Sequence, residues 1–140
     1  MEEKFKDLIE KCKNGEELTN ENVGEGRILV DRGTFKLVIP TDNPPELGDF
    51  FVYSIKGHDC YSYNSESTHF YHVIDGEGEF IISDKIIPIG PGDDIIIPPG
   101  VVFTYTGNMI LTFQMKPNFK QENDHFVRKV DYGEEPQQKL

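Results

Sequence analysis

The stretch His69–Gly100, HFYHVIDGEGEFIISDKIIPIGPGDDIIIPPG, constrains this fold more than any other part of the chain. Short apolar runs alternate there with turns marked by Gly and Pro. Gly supplies the backbone angles that tight turns need, and Pro has no N–H to give to a sheet. Both residues therefore punctuate strands rather than fill them. The punctuation predicts four strands. The first, His69–Ile74, is closed by Asp75-Gly76-Glu77-Gly78, and Glu79–Ser83 returns antiparallel to it. Asp84-Lys85 turns the chain into Ile86–Ile89, which ends at Gly90-Pro91-Gly92. The fourth, Asp94–Ile97, stops at Pro98-Pro99-Gly100. In this reading GEGEF is a hairpin turn, not the strand-to-helix turn that a dinucleotide-binding loop requires.

The same pattern extends outwards. Strands are expected at Arg27–Asp31, Phe35–Ile39, Asp49–Ile55 and Asp59–Asn64, then at Phe103–Thr106, Met109–Met115 and His125–Val130. Residues 40–48 read as a loop. Phe5, Leu8, Ile9 and Cys12 form a helical stripe on Glu2–Asn14, with Gly15 as its stop. That helix is expected on the outside of a barrel, because about ten short strands bury their apolar faces and limit open edges by closing up. The division expected is a helix and lead-in at 1–25, a β-barrel at 26–131 and a flexible tail at 132–140. A length of 140 residues fits one domain.

Charge narrows the partners. Fourteen basic residues against twenty-five acidic ones leave a net charge of −11. Nucleic-acid binding draws on Lys and Arg against phosphate, and an anionic membrane attracts the same residues, so neither partner is expected. No apolar run reaches the ~20 residues of a membrane span. The charged, periodic start is not a signal peptide. Cys12 and Cys60 form no CxxC, so free thiols in a cytoplasmic protein are expected. A homodimer is the expected assembly, since closed two-fold assemblies dominate soluble oligomers.

The spacing resembles the cupin family of small jelly-roll barrels. One family signature opens with Gly, five residues, Pro, one residue and Gly. Gly92, Pro98 and Gly100 reproduce it. Phe103 then stands where the family carries a histidine, and Gly107 stands where it carries an asparagine. The other signature ends with Glu, six residues and Gly. His69 and Gly76 keep that interval, with His69 at the glutamate position. Its paired histidines would fall at Ser62 and Asn64, or at Tyr63 and Ser65. The resemblance implies an all-β, cupin-like jelly-roll β-barrel with a short N-terminal helix, in a member lacking the usual metal-binding histidines. Neither a metal nor another cofactor is then expected. A site of His58, Cys60 and His69 would need the neighbouring strand register to bring them together.

The resemblance also implies which side chains face inwards. His69 at the glutamate position points into the barrel, with Tyr71 and Val73 on the same face of the strand. Phe103 at the histidine position points inwards with Tyr105. Ser62, Tyr63, Asn64 and Phe113 are further candidates for the lining. An aromatic cavity with a few polar groups suits a small, partly apolar molecule or a sugar ring. His69 is the candidate proton carrier, with Tyr71 and Tyr105 as candidate hydroxyl donors. The expected function is metal-independent binding of a small molecule. Its alternatives are isomerisation or epimerisation of a carbonyl-bearing sugar, and a metal-dependent dioxygenase or lyase with other ligands. His72 should face away from His69.

Overall fold

The computed structural model describes residues 5–24, 26–39 and 50–132. The expected loop at 40–48 and the tail beyond Tyr132 lie outside them. One helix, α1 (Lys6–Lys13), precedes nine strands. These are β1 (Arg27–Asp31), β2 (Phe35–Ile39), β3 (Phe50–Ser54), β4 (Cys60–Asn64) and β5 (Thr68–Ile82), then β6 (Lys85–Ile89), β7 (Asp94–Ile97), β8 (Phe103–Lys116) and β9 (Asp124–Lys129). All pairings are antiparallel. They run β1-β2-β3-β8-β4-β9, and β5 joins β8 to β6 and β7. The sheet curls on itself into the cupin-like jelly roll that the turn spacing implied.

Two boundaries differ from the expectation. Asp75–Gly78 does not close a hairpin. It lies inside β5, which pairs with β8 from Thr68 to Ile82 and slips register between Val73 and Asp75. Gly107 likewise does not separate two strands but lies within β8. The cause is the close approach of these two long paired strands at their glycines. Gly76 and Gly107 have φ of +85° and +121°. A Cβ on Gly107 would lie 2.5 Å from the Gly78 Cα, and one on Gly76 would strike the Asn108 carbonyl. Glycine here lets two backbones meet and bends the strands, a role sequence alone does not separate from a turn.

Burial follows the two faces of the curl. The inner cluster holds Phe35, Val52, Tyr71, Val73, Phe80, Phe103, Tyr105 and Leu111, among others. The outer cluster holds Phe5, Leu8, Cys12 and Leu18 against Val38, Phe51 and Ile110. The helix thus covers the outside of β2, β3 and β8, which explains why those strands are apolar on both faces. Inside this layer the Lys36 ammonium donates to the Leu18 carbonyl at 2.8 Å, so the buried cation has a partner. Both cysteines are free thiols. No helix among the described residues is long and apolar enough to cross a membrane.

Candidate functional site

The inner wall is built by alternation along β5 and β8. His69, Tyr71 and Val73 on β5 are buried, whereas Phe70 and His72 between them turn outwards. His72 Nδ1 lies 2.7 Å from Asp94 Oδ1 on the outer face. On β8, Phe103 and Tyr105 are buried on the inner side. The rings form one continuous stack. His69 lies parallel to Tyr71 at 5.9 Å and edge-on to Phe103 at 5.0 Å. Tyr71 meets Phe113 at 4.9 Å and Tyr105 at 5.8 Å. Phe113, half-buried, also stacks on Phe50 at 4.8 Å.

The β4 candidates divide. Ser62 pairs with Phe103 in the ladder. Tyr63 stacks on His125 at 4.8 Å. Asn64 is buried, and its carboxamide oxygen accepts the N–H groups of Glu66 and Ser67 at 3.0 and 2.7 Å. That oxygen therefore closes the turn between β4 and β5.

His58 enters the same aromatic wall from outside any strand. Gly57, at φ +135°, bridges to Thr106, and the His58 N–H donates to the Tyr105 carbonyl at 2.9 Å. The imidazole then stacks on Phe35 at 4.6 Å and stands edge-on to Tyr105 at 5.4 Å. Its Nδ1 lies 3.0 Å from the Cys60 carbonyl and 3.2 Å from the Cys60 N–H. The Tyr132 hydroxyl donates to the His58 carbonyl at 2.6 Å, so this tyrosine is tied to the barrel. Sequence reasoning placed His58 at a strand entrance and considered it only as a ligand in a metal site with Cys60 and His69, not as part of the aromatic wall. The one signal there was the His-x-Cys pattern after a glycine.

Burial sets the protonation states. It lowers the His58 pKa below the ordinary imidazole value, opposed in part by the Asp59 carboxylate. Burial, and then the neighbouring His58, bring His69 down to about 4. Both rings are therefore neutral at neutral pH. Burial raises Tyr71 and Tyr105 well above the ordinary phenol value, and each stays protonated. Burial pushes the Cys60 thiol up to about 11, which removes it as a nucleophile near neutrality. The arrangement offers proton acceptors beside hydroxyl donors within a largely apolar wall. Two depressions among the described residues, about 260 and 300 Å³, include neither His58, His69 nor Tyr105 in their linings, though the first is bordered by Tyr71 and Phe113.

The expectation that no metal-binding histidine is present does not hold. His58, Asp59 and Cys60 bring one ligand atom each to within 4.8 Å of one another. His58 Nδ1 is 3.8 Å from Cys60 Sγ and 3.4 Å from Asp59 Oδ1. These three residues could hold a metal ion, whereas His69, on β5, which does not pair with β4, is not part of the group. The signature positions did not include them, and the alternative set considered from the sequence paired His58 and Cys60 with His69 instead of Asp59.

No family model matches the chain, and no curated protein matches it. Solved structures do. The chain is similar to Pac13, a nucleoside dehydratase from Streptomyces, at 24% identity over 84% of this chain and 95% of that one, with a TM-score of 0.72. Variants of that enzyme, with a histidine changed to glutamine or either of two tyrosines to phenylalanine, are solved with uridine. The chain is also similar to an RmlC-like cupin from Shewanella frigidimarina, at 20% identity over 70% and 89% of the two chains, with a TM-score of 0.59. KdgF from a Halomonas species matches at 14% identity over 68% and 89%, with a TM-score of 0.55. What the chain shares with these proteins is a fold.

Proposed function

We propose that this barrel binds a carbonyl-bearing sugar or nucleoside and removes water from it by acid–base chemistry. His58 takes the proton, and Tyr71 and Tyr105 supply hydroxyl groups. The observation that carries the reading is a spacing. In the Streptomyces dehydratase, the substituted histidine precedes one substituted tyrosine by thirteen residues, and the second tyrosine follows thirty-four residues later. His58, Tyr71 and Tyr105 keep both intervals. They come from three distant parts of this chain, yet Tyr105 has His58 at 5.4 Å and Tyr71 at 5.8 Å.

The chemistry fits these groups. A carbonyl acidifies the C–H bond beside it. A base removes that proton, a double bond forms, and the hydroxyl on the next carbon leaves once an acid has protonated it. Neutral His58 is suited to be the base. In the tautomer whose Nδ1–H donates to the Cys60 carbonyl at 3.0 Å, Nε2 is the nitrogen left to accept the proton. The protonated phenols of Tyr71 and Tyr105 are suited to hold the carbonyl and to protonate the departing hydroxyl. The proton gained by His58 then restores the phenol. His69 is the second imidazole of the wall, and with Phe103 and Phe113 it faces the apolar part of the ligand. Ser62, Tyr63 and Asn64 border this wall along β4, and Val73 lies deeper in it.

The test uses uridine as the binding probe and a panel of nucleosides and sugars oxidised to an aldehyde or ketone as substrates, in D2O. Calorimetry is expected to show uridine binding. Mass spectrometry is expected to show loss of one water from a panel member. His58→Gln should slow that loss roughly 100- to 10,000-fold while uridine still binds. Deuterium uptake beside the carbonyl without loss of water would assign epimerisation instead. No binding, no exchange and no water loss would overturn the proposal.

A further inference from the structure

We propose that His58, Asp59 and Cys60 form a binding site for one divalent cation of the zinc class. The distances are those of a coordination shell whose ion would sit between the three side chains. Zinc bonds of about 2.0–2.1 Å to nitrogen, 2.0–2.2 Å to oxygen and 2.3 Å to sulfur, in a tetrahedron, put ligand atoms roughly 3.3–3.6 Å apart. Nδ1 lies 3.4 Å from Asp59 Oδ1 and 3.8 Å from Cys60 Sγ. The first spacing already fits, the second is a few tenths of an ångström long, and all three ligand atoms lie within 4.8 Å of one another. A thiolate with an imidazole favours zinc or cobalt over magnesium or calcium, which prefer oxygen alone.

The segment is held in place before any ion arrives. The His58 N–H reaches the Tyr105 carbonyl at 2.9 Å, and the Tyr132 hydroxyl reaches the His58 carbonyl at 2.6 Å. The Val130 N–H donates to the Asp59 carbonyl at 3.0 Å, and Cys60 pairs with Lys129 in the β4–β9 ladder. Strands β8 and β9 thus fix the backbones of all three residues, so little order remains to be imposed on binding. The side chains stay reachable, with those of His58 and Asp59 24% and 38% exposed. Three protein ligands leave the fourth position to water or a ligand.

Two contacts oppose the ion. The hydrogen bond from Nδ1–H to the Cys60 carbonyl, at 3.0 Å, would be lost. Arg32 Nε lies 3.6 Å from Asp59 Oδ2, so a like charge is near, although it occupies the carboxylate oxygen turned away from the cluster. Coordination also displaces the thiol proton to solvent. Coordination through Nδ1 leaves the ring proton on Nε2, so an occupied site and a proton-accepting His58 exclude each other.

Cobalt(II) titration of the full chain, first freed of metal with a chelator and kept reduced, tests the site. One equivalent is expected to raise the near-ultraviolet absorption of a thiolate–cobalt bond. The band should persist in Cys12→Ser and vanish in Cys60→Ser. Zinc affinity, read by competition with a coloured chelator, should fall at least about tenfold in Asp59→Asn. A wild-type protein with no thiolate–cobalt band would overturn the proposal without recourse to any variant. So would a band that survives in Cys60→Ser and disappears in Cys12→Ser.

Discussion

His69 is a neutral imidazole enclosed by Tyr71, Phe103 and Phe113, and its protonation is coupled to folding. Its folded pKa is about 4, against 6.5 for the free side chain. Between those values the unfolded chain binds the extra proton. The stabilising term is therefore present above pH 6.5 and is lost as pH falls towards 4. The shift amounts to about 3 kcal/mol. His58, lowered by the same burial, adds in the same direction. In His69→Gln, urea unfolding should depend less on pH between 6.5 and 4 than in the parent protein. Equal slopes would mean that His69 is not held neutral by burial. Strand alternation, being local, put Tyr71 on the face of His69 and Tyr105 on that of Phe103, and the resemblance to cupins implied that these faces are the inner ones. The arrival of His58 beside Tyr105 was not, because it depends on Gly57 bridging to a strand almost fifty residues away.

The paired strands β5 and β8 approach each other closely at Gly76, Gly78 and Gly107. Gly76 combines a φ of +85° with a Cβ position already filled by the partner backbone. Gly92 has nearly the same angle, +92°, but open space around it. Replacing Gly92 by Ala should cost about 1–2 kcal/mol, the price of a left-handed angle alone. Gly76→Ala adds a backbone collision and should cost at least about 1–3 kcal/mol more. Urea midpoints of the two variants compare them directly, and equal losses would contradict the close approach. The turns at Gly90–Gly92 and Pro98–Gly100 were legible because their punctuation acts within a few residues. Asp75–Gly78 carries the same residue types, and only the partner strand separates a kink from a turn.

Across the whole molecule, burial falls into an inner aromatic core and an outer layer under α1. Phe5 and Phe51 meet at 5.3 Å in the outer layer, and Phe51 is fully buried. Phe51→Ala should destabilise the protein by about 3–5 kcal/mol. Hydrogen exchange should speed up first in residues 5–24, while the amides of β5 and β8 keep their protection. Uniform loss of protection would show one cooperative core instead of two. The amphipathic stripe from Phe5 to Cys12 was legible as a helix on the outside of the barrel, but only the fold decided that it covers Val38, Phe51 and Ile110, while Ile96 stays exposed on the outer face of β7.

What the sequence determined by itself is the class of fold, because glycine and proline turn the chain locally and strand alternation sorts side chains to two faces. Alternation also placed His69, Tyr71 and Val73 on one face of their strand, and the resemblance to cupins implied that this face is the inner one. Only the tertiary structure decided that His58 joins Tyr71 and Tyr105 in one wall, and that His58, Asp59 and Cys60 converge in space. The first depends on a non-local bridge between Gly57 and Thr106. The second depends on a backbone bend held by β8 and β9, which turns three consecutive side chains towards one point where a regular strand would alternate them.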